Sequence, residues 1–366
     1  MSLWVVVGGQ YGSEGKGKIS AFITLKENID LCVRCGGPNS GHSFVDEDGT
    51  TRVLRQLPTG YINPRTRLLI PAGALIDPKI LKYEIETFGI DPSRIGVDRK
   101  CFVINGADRE TERNLGLRER LSSTLCGVGA AVARRALRGD DAKLARDVSE
   151  EHPWLRDLLT DVSEEVNAAV DHDKKVLIEG TQGFGLSLYH SEHYPKTTSR
   201  DTSAAGFISE VGVSPRMVTE IVAVFRTFPI RVAGDQAGPL EKEIDWEKIR
   251  IESGSPHEIG ERTSVTKKVR RVGRFEWNLA KKAVEVNGAT RVALNHLDYL
   301  SYSNRGETCY EKLSSKAIDF IGDLERKLGT PVRFLGTGPG LGELFEPEAP
   351  PQKRETYTES LAQPRR

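Results

Sequence analysis

The sequence feature that most constrains the fold is a glycine-rich segment that directly follows the first apolar run. Residues 3–7 are typical of a buried strand, residues 8–18 read G-G-Q-Y-G-S-E-G-K-G-K, and a stretch with helical character follows from residue 19 to about residue 28. In a strand, glycine-rich turn and helix, backbone N–H groups and the helix N-terminus can surround a phosphate, and a lysine adds positive charge. The segment therefore predicts an anion site, with a βα turn that binds no ligand as the alternative.

This turn differs from the common P-loop. The P-loop pattern has four residues between its two glycines and a serine or threonine after the lysine. Here five residues separate Gly9 from Gly15, and Gly17 follows Lys16. The segment is therefore not a standard Walker motif.

Short β-branched runs alternate with longer helical stretches along the chain. This alternation is typical of an α/β protein with a mostly parallel central sheet. We find no internal repeat and no clear linker in the 366 residues, so we predict a single large domain over residues 1–345 and a flexible polar tail over residues 346–366. The charged stretch 134–165 is interpreted as a helical excursion on the surface. The predicted strands cover residues 3–7, 67–70, 175–178, 220–225 and 291–294.

The composition excludes several classes of function. The chain has 52 basic and 52 acidic residues, so no net field would hold it on a nucleic acid or a membrane surface, and any anion must be bound locally. No apolar run reaches the roughly 20 residues that cross a bilayer, and we expect a cytoplasmic protein. The five cysteines do not form a disulfide framework, and Cys32 and Cys35 are interpreted as buried strand residues rather than a redox or zinc pair.

Several blocks, in order along the chain, resemble the adenylosuccinate synthetase family. The turn at residues 8–18 is similar to the family signature G-x-Q-W-G-D-E-G-K-G-K. The resemblance implies a P-loop-related adenylosuccinate synthetase-like fold, and it extends from about residue 4 to residue 340. The other blocks are residues 38–42 (family N-A-G-H), 176–183 (F-E-G-A-Q-G), 194–199 (Y-P-x-V-T-S), 297–298 (K-L-D) and 336–339 (S-T-G-P).

The resemblance implies a reaction in two steps. A nucleoside triphosphate phosphorylates the 6-oxygen of a purine monophosphate, and aspartate then displaces the phosphate. Phosphorylation turns a poor leaving group into a good one, and the transfer depends on positioning and charge neutralisation, here with Mg²⁺. The family implies catalytic roles at Ser13, Lys16 and His42 and metal contacts at Ser13 and Gly41. The triphosphate site would comprise Gly12, Glu14, Gly15, Lys16, Gly17, Gly41, His42, Asp298, Gly336 and Gly338.

The family also implies sites for the other two substrates. Aspartate would be held by Thr266, Lys268 and Arg270, although the family has arginine at the position of Lys268, and lysine lacks the planar two-pronged contact. Arg134 resembles an arginine that family dimers donate across the interface, so the resemblance implies a homodimer. The monophosphate site would comprise Ser13, Asn39, Ser123, Thr124, Arg134, Gln182 and Thr198.

Ser13 is the most informative departure from the family pattern. The common enzyme has an aspartate here, which accepts the N1 proton of inosinate and contacts Mg²⁺, whereas a serine hydroxyl is neither charged nor basic at neutral pH. The smaller hydroxyl leaves room for the 2-amino group of guanine. The chain is in this respect similar to the phage and archaeal branch that joins dGMP to aspartate, and the alternative is an enzyme acting on IMP. Glu14, a metal-bound water and the transferred phosphate are each candidates for the missing base.

The phosphoryl donor is less constrained. Asp298 matches the carboxylate that pairs with guanine in the GTP-using family, but His296 and Gly336 replace a lysine and a serine there. These changes favour ATP or dATP over GTP. A hypothesis of another class is a regulator that binds a nucleotide without ligase chemistry, but it leaves His42, Gln182, Thr198 and the loop 266–270 unexplained.

Overall fold

The computed structural model describes residues 2–46, 48–262 and 268–347, except for the side chain of Asp235. Within these residues the main sheet has ten strands in the order β17-β16-β15-β11-β1-β10-β2-β5-β7-β9. Every neighbouring pair is parallel except β16 and β17. The strands of this sheet are β1 (Ser2–Gly8), β2 (Leu31–Arg34), β5 (Arg67–Ile70), β7 (Ile95–Asp98), β9 (Leu159–Thr160), β10 (Lys175–Glu179), β11 (Glu220–Arg226), β15 (Arg291–Asn295), β16 (Val332–Gly336) and β17 (Leu344–Phe345).

The short strands outside the main sheet form three smaller sheets. The hairpin of β3 and β4 matters most for the site, because β3 begins at His42. The remaining strands are β3 (His42–Val45) with β4 (Thr51–Leu54), β6 (Leu75–Ile76) with β8 (Phe102–Val103), and β12 (Ile230–Arg231), β13 (Glu243–Ile244) and β14 (Arg271–Gly273).

Helices pack on both faces of the main sheet because its strands are apolar on both sides. In the central strand β1, Leu3, Val5 and Val7 join one buried cluster, and Trp4 and Val6 join the cluster on the opposite face. The helices are α1 (Lys16–Glu27), α2 (Pro78–Thr87), α3 (Gly106–Asn114), α4 (Leu117–Leu121), α5 (Val128–Leu137), α6 (Pro153–Arg156), α7 (Val162–Asp171), α8 (Ala204–Val211), α9 (Trp246–Ser253), α10 (Trp277–Asn287) and α11 (Ser315–Leu328).

The predicted α/β class and the mostly parallel sheet are confirmed. Helix α1 begins at Lys16, three residues before the predicted start. The interpretation of residues 134–165 as a surface excursion is wrong in part, because β9 pairs with β7 at the sheet edge and Leu155 and Leu158 are buried in the core. Cys32 and Cys35 are free and buried, as expected, and burial raises the pKa of both thiols. Among the described residues, no helix is long and apolar enough to cross a membrane.

The parallel sheet places many loops at one edge. The carboxyl ends of β1, β2, β10, β11, β15 and β16 lead into residues 9–15, 35–41, 180–183, 227–229, 296–298 and 337–340. Ligands of open parallel sheets bind at this edge, in a crevice between neighbouring connections. The predicted site residues in these loops are therefore brought together by strand order.

Candidate active site

The first βα turn has the backbone geometry of an anion site. Gly12, Ser13 and Gly15 adopt positive φ angles of 86°, 58° and 94°. Gly15 caps α1 without any side-chain hydrogen bond. The first N–H groups of α1 are therefore available to a phosphate, which the helix dipole also favours. This geometry supports the anion site predicted from the sequence.

Glu14 and Lys16 hold the turn together. The buried Glu14 carboxylate accepts hydrogen bonds from the backbone N–H of Gln10 (3.1 Å) and Gly12 (2.8 Å). It also pairs with Lys16 Nζ at 2.7 Å, and Lys16 contacts the carbonyl of Gln182 as well. The carboxylate of Glu14 is thus committed to the turn itself, whereas Lys16 lines the main cavity.

His42 lies beside the turn and is oriented by a buried carboxylate. Glu179, at the end of β10, accepts a hydrogen bond from His42 Nδ1 at 2.5 Å, and Arg34 contacts both side chains. Nε2 has no hydrogen-bond partner among the described residues, and His42 lines the main cavity. Burial and the charge of Arg34 lower the pKa of His42 to about 3, although Glu179 opposes them. The unliganded ring is therefore neutral, with Nε2 available.

One large cavity of ≈ 1110 Å³ connects most of the predicted residues. It is bounded by the glycine turn, the loop before β3, the α4–α5 loop and residues 260–262, 268, 270 and 295–296. The predicted site residues that line it are Gly12, Ser13, Gly15, Lys16, Gly17, Asn39, Gly41, His42, Ser123, Thr124, Gln182, Lys268, Arg270 and Gly338.

A smaller recess of ≈ 230 Å³ shares part of the same lining. Asn39, Ser123, Thr124 and Gln182 border both spaces, and Thr198 borders only the recess. Most residues predicted for the monophosphate are thus together. Arg134 is the exception, because it borders neither space and is paired within its own chain with Asp108 at 2.7 Å.

Asp298 and Gly336, which are predicted for the triphosphate site, do not line the main cavity themselves, whereas Asn295 and His296 near them do. Asp298 is buried, its Oδ1 has no partner among the described residues, and Arg305 Nη1 lies 3.1 Å from Oδ2. Burial raises the pKa of Asp298 to about 6. Gly336 packs closely on Asn295, whose Oδ1 would be 2.2 Å from a Cβ at this position. The family serine therefore could not be accommodated here without movement of Asn295.

The predicted aspartate site lies on a segment that is only partly described, and its described residues 260–262 and 268–270 are called the hairpin below. Lys268 and Arg270 line the main cavity, and Arg262 bridges to Val269 across the hairpin. Burial lowers the pKa of Arg270. Thr266 lies outside the described residues.

Sequence reasoning missed several residues that shape this site. Glu179 and Arg34 orient His42, and Arg226 and Glu261 connect the hairpin to the glycine turn. A signal existed for Glu179 and Arg226, because each is a charged residue that directly follows an apolar run at the carboxyl end of a strand. The neighbours of these residues are remote in sequence, and no local pattern reveals them.

The family is decided by comparison with known proteins. The model of the adenylosuccinate synthetase family matches residues 5–143 and 138–311. The chain belongs to this family. Adenylosuccinate synthetases of Thermococcus sibiricus and Methanococcus maripaludis are 42% and 41% identical to it over 94% of the chain and 98% and 99% of their own lengths. It is accordingly a carbon–nitrogen ligase that depends on a nucleoside triphosphate.

Two solved structures have a fold similar to that of this chain. The cyanophage S-2L succinoaminodeoxyadenylate synthetase, bound to dGMP and to dATP as an energy donor, has a TM-score of 0.80 and 27% identity and covers 94% of this chain and 95% of its own. A fully ligated adenylosuccinate synthetase from Plasmodium falciparum has a TM-score of 0.83 and 21% identity, with 94% and 100% covered. The second likeness concerns the fold alone.

Proposed function

We propose that this ligase joins L-aspartate to C6 of dGMP through a 6-phosphoryl intermediate. The observation that carries the proposal is Ser13, which is exposed in the main cavity at the position of the family aspartate. A hydroxyl occupies less space than a carboxylate and both donates and accepts hydrogen bonds, so the 2-amino group of guanine can be accommodated beside it. The likeness to an S-2L enzyme with dGMP bound supports the same substrate.

The phosphoryl step would take place between the turn and His42. The N-terminus of α1 and Lys16 neutralise the triphosphate, and Nε2 of His42 faces the oxygens between the γ-phosphorus and C6. A bound triphosphate favours the imidazolium because its negative charge opposes the effects of burial and of Arg34. The Nε2–H so formed donates a hydrogen bond to the transferring group, and Glu179 supports the charge on the ring.

Mg²⁺ fits this site only as an ion held mainly by substrate. No group of three or more His, Cys, Asp or Glu that could hold a metal occurs among the described residues. Mg²⁺ commonly takes one or two protein ligands and fills its other positions with phosphate oxygens and water. Ser13 Oγ and the Gly41 carbonyl would hold it here. When bound, the ion supplies positive charge to the phosphates.

The second step, the attack of aspartate, would take place beside the hairpin. Lys268 and Arg270 offer positive charge to the carboxylates of aspartate, whose amine then attacks C6 while phosphate leaves. Asn39, Ser123, Thr124, Gln182 and Thr198 would hold the monophosphate in the adjoining recess. By resemblance, Arg134 of a second subunit would complete this site in a homodimer.

An adenine nucleotide, ATP or dATP, is the donor that the surroundings of Asp298 favour. Guanine presents N1–H and N2–H side by side, and a carboxylate reads them best with both oxygens. Arg305 already engages Oδ2, which leaves Oδ1 to accept one hydrogen bond, for instance from the amino group of adenine. GTP is the alternative, as the donor that adenylosuccinate synthetases use.

The second candidate function is an adenylosuccinate synthetase acting on IMP, and the relatives at about 40% identity favour it.

The test that distinguishes the two functions is aspartate-dependent phosphate release with Mg²⁺ and ATP. It compares dGMP with IMP as acceptor, in the wild type and in Ser13→Asp. We expect the wild type to prefer dGMP and Ser13→Asp to lower kcat/KM for dGMP by about tenfold or more. Preference of the wild type for IMP would establish the second function instead.

A further inference from the structure

The side chain of Arg226 connects two walls of the cavity that are distant in sequence. Arg226 ends β11, is fully buried and does not itself line the cavity. Its Nη1 donates to the carbonyl of Ser13 and to Glu261 Oε2, both at 3.1 Å, and its Nη2 contacts Glu261 Oε1. One guanidinium thus binds both the turn that carries Ser13 and the start of the hairpin.

The backbone of Arg226 is fixed to the same turn. Its N–H donates to Gln10 Oε1 at 3.0 Å, and Gln10 Nε2 donates to its carbonyl at 3.1 Å. Because Gln10 belongs to the turn and Arg226 to the central sheet, this residue is held at both ends. It is therefore a rigid reference point for whatever its guanidinium binds.

Glu261 forms the base of the hairpin. Its carbonyl accepts a hydrogen bond from the N–H of Arg270 at 2.8 Å, and its carboxylate accepts another from Tyr299 Oη at 3.2 Å. The carbonyl of Arg270 accepts from Trp246 Nε1 at 2.7 Å. Glu261 precedes residues 263–267 in the chain and Arg270 follows them, and both side chains belong to residues that line the cavity.

We infer that the Arg226–Glu261 ion pair is a positioning device, which sets the aspartate-binding hairpin at a fixed distance from Ser13 and so from the acceptor purine. The inference rests on the proposed function, because it takes Lys268 and Arg270 as the aspartate site. A two-pronged arginine–carboxylate contact fixes orientation as well as distance. Misplacement of a reacting group by about 1 Å can cost about a hundredfold in rate.

The pair is ionised at every pH at which the enzyme would be assayed. Burial alone would raise the pKa of Glu261, but the charge of Arg226 outweighs it and lowers the pKa to about 2. The charged and titratable groups beside the pair are Glu14, Arg270, His296 and Tyr299. The positioning effect should accordingly be constant across neutral pH.

The test uses Glu261→Gln, which keeps the size of the side chain and removes its charge. Aspartate-dependent phosphate release is measured with each substrate varied in turn. We expect the KM for aspartate to rise about tenfold or more, while the KM values for dGMP and ATP stay within about twofold. The matched control is Glu243→Gln, which alters the ion pair of Glu243 with Arg271, the residue after Arg270, and should leave all three KM values unchanged.

A second variant separates positioning from direct contact with aspartate. If the pair acts as one unit, Arg226→Gln should raise the KM for aspartate to a similar extent, and the double variant should be no worse than the more affected single variant. Additive effects, or equal rises in all three KM values, would overturn the inference. Thermal unfolding of each variant identifies loss of folding. If the wild type releases no phosphate in response to aspartate, the proposed function has failed, which is a different result.

Discussion

At the scale of single residues, His42 shows how strongly burial and neighbouring charge alter one side chain. The pKa of its ring is lowered to about 3 from an ordinary value of 6.5, by burial first and by Arg34 second. Between these two values the unfolded chain binds a proton at this position that the folded chain does not. This residue therefore lowers the stability of the fold as the pH falls from about 6.5 toward 3.

A titration followed by NMR tests this environment. In the unliganded protein we expect the His42 ring to stay neutral down to pH 5, whereas in urea it should titrate near its ordinary value. With a non-hydrolysable ATP analogue and Mg²⁺, the pKa should rise because of the added negative charge. An unliganded ring that titrates near 6.5 would contradict the burial of His42 beside Arg34.

At the scale of elements, glycines set how closely the first turn packs against its neighbours. A Cβ at Gly17 would lie 2.7 Å from the Cβ of His42, so the serine or threonine of a standard P-loop is excluded there. A Cβ at Gly9 would overlap the ring of Phe225 at 2.1 Å. The departure from the P-loop pattern thus has a steric cause at Gly17, and it brings His42 against α1.

Gly9→Ala should destabilise the fold by about 1–3 kcal/mol, because the buried ring of Phe225 has no space to move without strain. Urea unfolding measures the change. The control is Gly322→Ala in α11, where an added Cβ meets no atom within 4 Å and alanine favours the helix. Equal stability of Gly9→Ala and the wild type would show that the turn relaxes freely around the new methyl group.

At the scale of the whole molecule, the proposed homodimer makes a prediction about mass. Light scattering should give about twice the 40.4 kDa of the chain.

In the described structure Arg134 pairs with Asp108 of its own chain, so the movement of its side chain to a partner subunit would require this ion pair to open. Arg134→Ala should therefore raise the KM for dGMP by about tenfold if the arginine crosses the interface, and an active monomer would contradict the proposal.

Much of this protein was predictable from local sequence. Alternating apolar side chains identify strands such as β1, and the glycines before Lys16 identify the anion turn, because periodicity and backbone freedom are properties of neighbouring residues. The order of motif blocks was enough to suggest the family, and Ser13 to suggest its substrate. The start of α1 and the buried edge strand β9 were misjudged, since packing rather than propensity decides such boundaries.

The remaining features depend on strand order. Glu179 reaches His42 across 137 residues, and Arg226 reaches Ser13 across 213. These pairs exist because β2, β10, β1 and β11 are successive neighbours in one parallel sheet and end at the same edge. A sequence alone identifies which side chains are charged, but a buried charge obtains its partner, its pKa and its role from the strands that lie beside it. The anion-binding chemistry of the turn was therefore determined by local sequence. Only the tertiary structure decided the contacts that keep His42 neutral and that hold the hairpin beside Ser13.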